Sequence, residues 1–132
     1  MNGNENGSIN NALQVLDAFM ESFNKRDIKA HFESLNFPHI RIAGGEVSIW
    51  NNVEEMIKSY QSEVGRRVEP NWNHSTFDSK EVIHSSKDKV HFAVQFTRYD
   101  KDDKKIATYK AVYVVTCING RWGIQARSSF AP

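Results

Sequence analysis

The sequence predicts an α+β domain in which three N-terminal helices precede a sheet of mostly antiparallel strands. Two observations carry this. Up to about residue 64 the apolar residues recur at helical spacing, broken by one alternating hairpin. From Trp72 onward every segment reads as strand, closed by short polar turns. A third observation sets the size. The chain has 132 residues, 39% hydrophobic and 25% charged, and about 100–200 residues per domain makes it one domain of ordinary globular composition.

Residues 1–8 are rich in Asn and Gly and poor in apolar side chains, so they read as a mobile tail ahead of a single domain over 9–132. Ile9, Leu13, Leu16, Met20 and Phe23 share one helical face. They predict a first helix over 11–24, with Asn11 and Gln14 as a weak capping box. Asp27 caps a short second helix that presents Ile28, Phe32 and Leu35. At Pro38 the helical period gives way to alternation: Ile40 and Ile42 take one face, His39 and Arg41 the other. Gly44-Gly45 turns this strand into Val47–Trp50. Asn52 and Glu55 open a third helix carrying Val53, Met56, Ile57, Tyr60 and Val64, which ends near Gly65. Four strands follow, over 72–84, 89–99, 105–118 and 121–129. They turn at Ser85–Asp88, Asp100–Lys104 and Asn119-Gly120.

Seventeen basic and sixteen acidic side chains leave a net charge of +1, so nothing points to nucleic acid or to an acidic membrane surface. The longest strongly apolar run, Ala111–Val115, is far short of the roughly 20 residues that span a bilayer. The one cysteine, Cys117, cannot form an internal disulfide, and residues 1–10 lack the basic and apolar regions of a secretory leader. A cytoplasmic protein is the expectation. None of the five histidines sits in a His-x-His or His-Glu-x-x-His pair, so no metal and no cofactor is expected.

A sheet covered on one face should alternate cleanly. Residues 111–118, AVYVVTCI, are instead apolar on both faces. If helices cover one face, a second copy of the chain is the expected cover of the other, in a homodimer through the outer sheet face.

Phe23-Asn24 with Asp27, the hairpin through HIRIAGG and the turn Asn119-Gly120-Arg121-Trp122, in this order, resemble the nuclear transport factor 2-like superfamily. Within it the chain looks like the SnoaL-like group over about residues 10–130. The resemblance implies a cystatin-like cone: a strongly curved mixed or antiparallel sheet wrapped around three helices, with a pocket in its open end. The superfamily includes ketosteroid isomerase, scytalone dehydratase, polyketide cyclases, limonene epoxide hydrolase and non-catalytic domains, so the fold alone selects no function. The isomerase's tyrosine, base and acid would fall at Phe19, near Ile42 and near Val114, all apolar. The histidines that many relatives carry after the terminal tryptophan fall at Ala126 and Ser128. Isomerase chemistry by that route is therefore not expected.

The remaining polar candidates are few. If the face of His39 and Arg41 lines the pocket, Arg41 is a fixed cation for a carboxylate and His39 a proton shuttle near neutral pH; if it faces solvent, they are ordinary surface. Trp72, His74, Thr76 and Asp78 share a strand face, which makes His74 a second candidate base, its alternative being a half-buried structural histidine. Arg127 alternates with Gln125, opposite Trp122, Ile124 and Ala126; pointing inward it would mark an anionic ligand or a paired carboxylate. Of the 15 aromatic residues, the core claims most, and Trp50, Tyr60, Trp72 and Tyr113 are the ones expected to touch a ligand. The leading expectation is binding of a small, mostly apolar molecule with an acidic or carbonyl group. The alternatives are a cofactor-independent isomerase, cyclase or dehydratase using His74 or His39, and a protein-interaction module acting through its sheet face.

Overall fold

The structure, a computed structural model, describes residues 3–63 and 68–132, without the side chains of 3–6 and 60–63. Three helices, α1 (Gly3–Lys25), α2 (Ile28–Glu33) and α3 (Val53–Glu63), interleave with six strands. These are β1 (Leu35–Ala43), β2 (Glu46–Trp50), β3 (His74–Ser85), β4 (Lys89–Tyr99), β5 (Lys105–Ile118) and β6 (Arg121–Ser129). The strands form one curled, unclosed sheet in the order β2-β1-β6-β5-β4-β3. All neighbours are antiparallel except β1 and β6, which run parallel. The predicted α+β class, with helices packed in a curved mixed sheet, is the observed architecture.

The helix starts follow their caps. Asp27 accepts from Ala30 N (3.1 Å) and Asn52 Oδ1 accepts from Glu55 N (3.0 Å), each satisfying an amide that the first helical turn leaves without an intrahelical partner. The turn glycines Gly44, Gly45 and Gly120 all take positive φ (61°, 77° and 80°), as the two tight hairpins require. The first helix starts earlier than the predicted residue 11. Helix α1 begins at Gly3, so residues 3–8 are helical; Ser8 is buried, and its hydroxyl donates to Lys87 O (2.6 Å) on the β3–β4 turn. A docked serine, not an apolar face, ties this turn down, which is why hydrophobic spacing missed it. The predicted end of α3 near Gly65 lies outside the described residues.

Helix α1 packs on α2, β3 and β6 and closes the concave side of the sheet. Asn24 fixes its C-terminal end. Its Nδ2 donates to Ser75 O and its Oδ1 accepts from Ser75 N, both at 2.8 Å, so the side chain stands in for a neighbouring strand at the β3 edge. The core lies between helices and sheet, with Leu16, Phe19, Phe32, Phe92, Val115 and Ile124 buried. Val90, Phe92, Val94 and Phe96 of β4 and Ala111, Tyr113 and Val115 of β5 point inward, in register. The other face of the sheet carries Ile42, Val47, Ile49 and Val112 exposed. Among the described residues no helix is long and apolar enough to cross a membrane.

Candidate functional site

A cavity of about 90 Å³ opens between the helices and the concave face of the sheet. Its helix side is mostly apolar, with Phe19, Met20 and Phe23 from α1, Phe32 from α2 and Met56 from α3, and carries His31 from α2. Its sheet side is cationic and polar, with Arg41 from β1, Arg127 and Ser129 from β6, Tyr113 from β5 and Arg98 from β4. The described lining holds three arginines and no carboxylate.

Strand register builds the polar wall. Arg127 is paired with Tyr113 on one side and with Arg41 on the other, so Arg41, Arg127 and Tyr113 form one row across β1, β6 and β5. A β-bulge puts Arg127 there. Val115 pairs with Ile124 but Val114 pairs with Ala126, so Gln125 is an extra residue on β6. Strict alternation sets Ile124 and Arg127 on opposite faces; the bulge turns both inward.

His39 directs Arg127. It is fully buried, its Nδ1 lies 2.8 Å from Ile124 O, and Arg127 Nε donates to its Nε2 at 3.1 Å. A guanidinium only donates, so Nε2 must be the unprotonated nitrogen and Nδ1–H donates to the carbonyl. A second proton would break the Arg127 bond and set two cations together. Burial, then the Arg127 charge, push the His39 pKa down to about 3. Arg127 also lies over the Phe19 ring (5.2 Å). The Tyr113 phenol is buried, which raises its pKa against the pull of Arg127, Arg41 and Arg98, so it is a neutral O–H.

Of the predicted site residues, Arg41, Arg127 and Tyr113 are brought together on the cavity wall. His39 stands behind them as a buried acceptor rather than as a proton shuttle. His74 is on the opposite sheet face, stacked on Tyr99 with Nε2 3.2 Å from Asp103 Oδ1, so it does not reach the cavity. Trp50 is buried against His39, and Trp72 packs on Phe23 while its Nε1 donates to Ser75 Oγ (2.8 Å); neither lines the cavity. The Tyr60 side chain lies outside the description.

Two ionisable cavity residues were missed. His31 of α2 is buried beside Phe19 and Phe23, with Nδ1 3.3 Å from Ser22 Oγ; burial and then Arg127 lower its pKa to about 4. Arg98 is buried, and its Nη1 donates to Glu69 Oε1 at 2.7 Å. It continues the inward alternation Val90, Phe92, Val94, Phe96, so its place was readable from spacing. Among the described residues no group of three or more His, Cys, Asp and Glu could hold a metal ion.

The fold has many solved counterparts. A protein of unknown function with a cystatin-like fold from Nostoc punctiforme is 12% identical, covering 91% of this chain and 87% of that one, with TM-score 0.72. An NTF2-like protein from Cytophaga hutchinsonii is 16% identical over 100% of both chains, with TM-score 0.70. A structure from Catenulispora acidiphila in complex with S-DNPA is 10% identical, covering 94% and 93%, with TM-score 0.71. At these identities the likeness is one of fold. We find no match among proteins of curated function. The family model for the NTF2-like protein family DUF6841 matches residues 10–129, and the chain therefore belongs to that NTF2-like family.

Proposed function

We propose that this protein binds a small, mostly apolar molecule bearing an acidic or carbonyl group. The observation that carries the reading is the row Arg41–Arg127–Tyr113 facing an aromatic and methionine wall across the cavity. Mostly apolar pockets with a few convergent polar groups are the usual form of small-molecule sites. Two guanidiniums and a neutral phenol all donate hydrogen bonds, which suits an acceptor oxygen and disfavours an ammonium. The Catenulispora acidiphila structure, in complex with S-DNPA, has the same fold, which supports the reading without naming this ligand.

The test is thermal unfolding with aromatic and medium-chain carboxylates beside the matching alcohols. Ligand at about 100 times Kd stabilises the native state by about 2.7 kcal/mol, several degrees in Tm for a domain of this size. Acids are expected to give that shift, and Arg127→Met to abolish it. Equal shifts from the alcohols, or none from any acid at millimolar concentration, would overturn the proposal.

A second reading, a cofactor-independent isomerase, cyclase or dehydratase, is favoured by a different observation. His31 and Tyr113 both line the cavity as neutral groups, a proton acceptor and a donor. It transfers the role of base from His74 and His39 to His31. Turnover lost in His31→Gln and kept in His74→Ala would favour it; turnover lost in His74→Ala alone would defeat it.

For a partner, we propose a second copy on the outer sheet face. Ile42 (48% exposed), Val47 (66%), Ile49 (57%) and Val112 (41%) lie there across β1, β2 and β5. An uncharged apolar patch complements itself under a two-fold axis.

A further inference from the structure

We infer that the ligand of this cavity is a two-headed acid: one anionic group held by Arg127 and Arg41, a second held by Arg98, with an apolar body between. The inference rests on the ligand-binding reading above and goes beyond it in naming a second anion site. Arg98 belongs to another row of the sheet. It pairs with Ala107 of β5, whereas Arg127 pairs with Tyr113, six residues further along that strand. Yet Arg98 and Arg127 line the same cavity, and both act electrostatically on the Tyr113 phenol. The cavity therefore carries cations from two different rows of its sheet wall.

Arg98 is itself a built receptor. Its side chain is 7% exposed, and its guanidinium carbon sits 5.0 Å from the Tyr109 ring centroid and 5.8 Å from that of Phe96, which fixes its plane. Glu69 takes Nη1 only, with Oε1 at 2.7 Å and Oε2 at 3.5 Å. Nε is buried and has no acceptor among the described residues. A guanidinium is a fork of five donors matched to the two oxygens of a carboxylate, and a buried N–H without an acceptor carries its full desolvation cost. A ligand carboxylate on the Nε edge relieves that cost and leaves Glu69 in place. The Glu69 carboxylate stays on Nη1, outside the cavity lining, and the Nε edge is left for the second anion.

Isothermal titration with paired probes tests this: octanoate against octanedioate, and hexanoate against hexanedioate. The best diacid is expected to bind at least tenfold tighter than the monoacid of the same length. In the Arg98→Met/Glu69→Gln double variant that advantage should vanish while the monoacid keeps its affinity within about threefold. Arg98→Lys keeps the charge but not the Nε–H and is expected to lose most of the advantage too, which gives a second variant should the double one misfold. If monoacids bind and diacids gain nothing, or if the gain survives in either variant, the two-headed ligand is wrong and the simpler binding reading stands. If neither class binds the wild type, the binding reading itself fails.

Discussion

At the scale of single residues, His39 is the most consequential side chain. Its two hydrogen bonds have fixed directions, and one of them sets the angle of Arg127. His39→Leu strands Ile124 O and Arg127 Nε in the core. Two buried groups losing partners should destabilise the fold by about 2–4 kcal/mol, read from denaturant midpoints. The pair His39 and His31 also predicts a pH dependence. Both have native pKa values, about 3 and about 4, below the ordinary 6.5. Between those values the unfolded chain binds more protons than the native one, so stability rises with pH there and is lost as pH falls from about 6.5 toward 4. The slope is about 1.4 kcal/mol per pH unit for each histidine. Urea unfolding at pH 7 and pH 5 should therefore differ by roughly 3–4 kcal/mol. His31→Phe, which packs among the Phe19, Phe23 and Phe32 rings, should halve the difference. A flat profile between pH 5 and 7 would contradict the buried neutral pair.

At the scale of elements, the parallel β1–β6 pairing bears the site, and its closest approach is at Gly123. A Cβ there would lie 2.8 Å from the Leu35 backbone carbon and from the Asn36 side chain. Asn36 cannot give way easily, because its amide donates to Thr116 O (2.9 Å), Thr116 Oγ1 (3.0 Å) and Arg121 O (3.2 Å). Gly123→Ala should cost about 1–3 kcal/mol and weaken any ligand response through Arg127; an unchanged Tm would refute the close contact. The same strand shows where sequence reading stops. The strands and the caps of α2 and α3 were legible from alternation and capping residues, because those are local; the start of α1 was not, since the predicted cap Asn11 lies inside the helix. Facing was not, because it is set by tertiary register. The bulge at Gln125 reverses Arg127, and the isomerase comparison fell on Ile42 and Val114, outward residues each one position from the inward Arg41 and Tyr113. A slip of one residue changes the face of a strand. His74 failed for the same reason: its neighbours Ser75 and Phe77 pair with the inward Arg98 and Phe96.

At the scale of the whole molecule, the curled sheet has two different faces, a cavity lined by arginines inside and exposed apolar side chains outside. The outer face predicts a dimer at micromolar concentration in sedimentation velocity. Ile42→Glu, placing a charge in a 48% exposed position of that patch, should yield monomers that keep the wild-type ligand response. A wild-type monomer would remove the dimer proposal. The strand order has a further consequence, for synthesis. β6 is the last strand in the chain but lies inside the sheet, joining β1 to β5. As the ribosome delivers the chain, β1 with β2 and β3 with β4 and β5 emerge as two hairpin blocks that share no strand ladder. Only when residues 121–129 appear does one sheet exist. Every nascent chain therefore waits, with two open β edges, for its final strand. A stalled product ending before Arg121 should be insoluble rather than merely inactive.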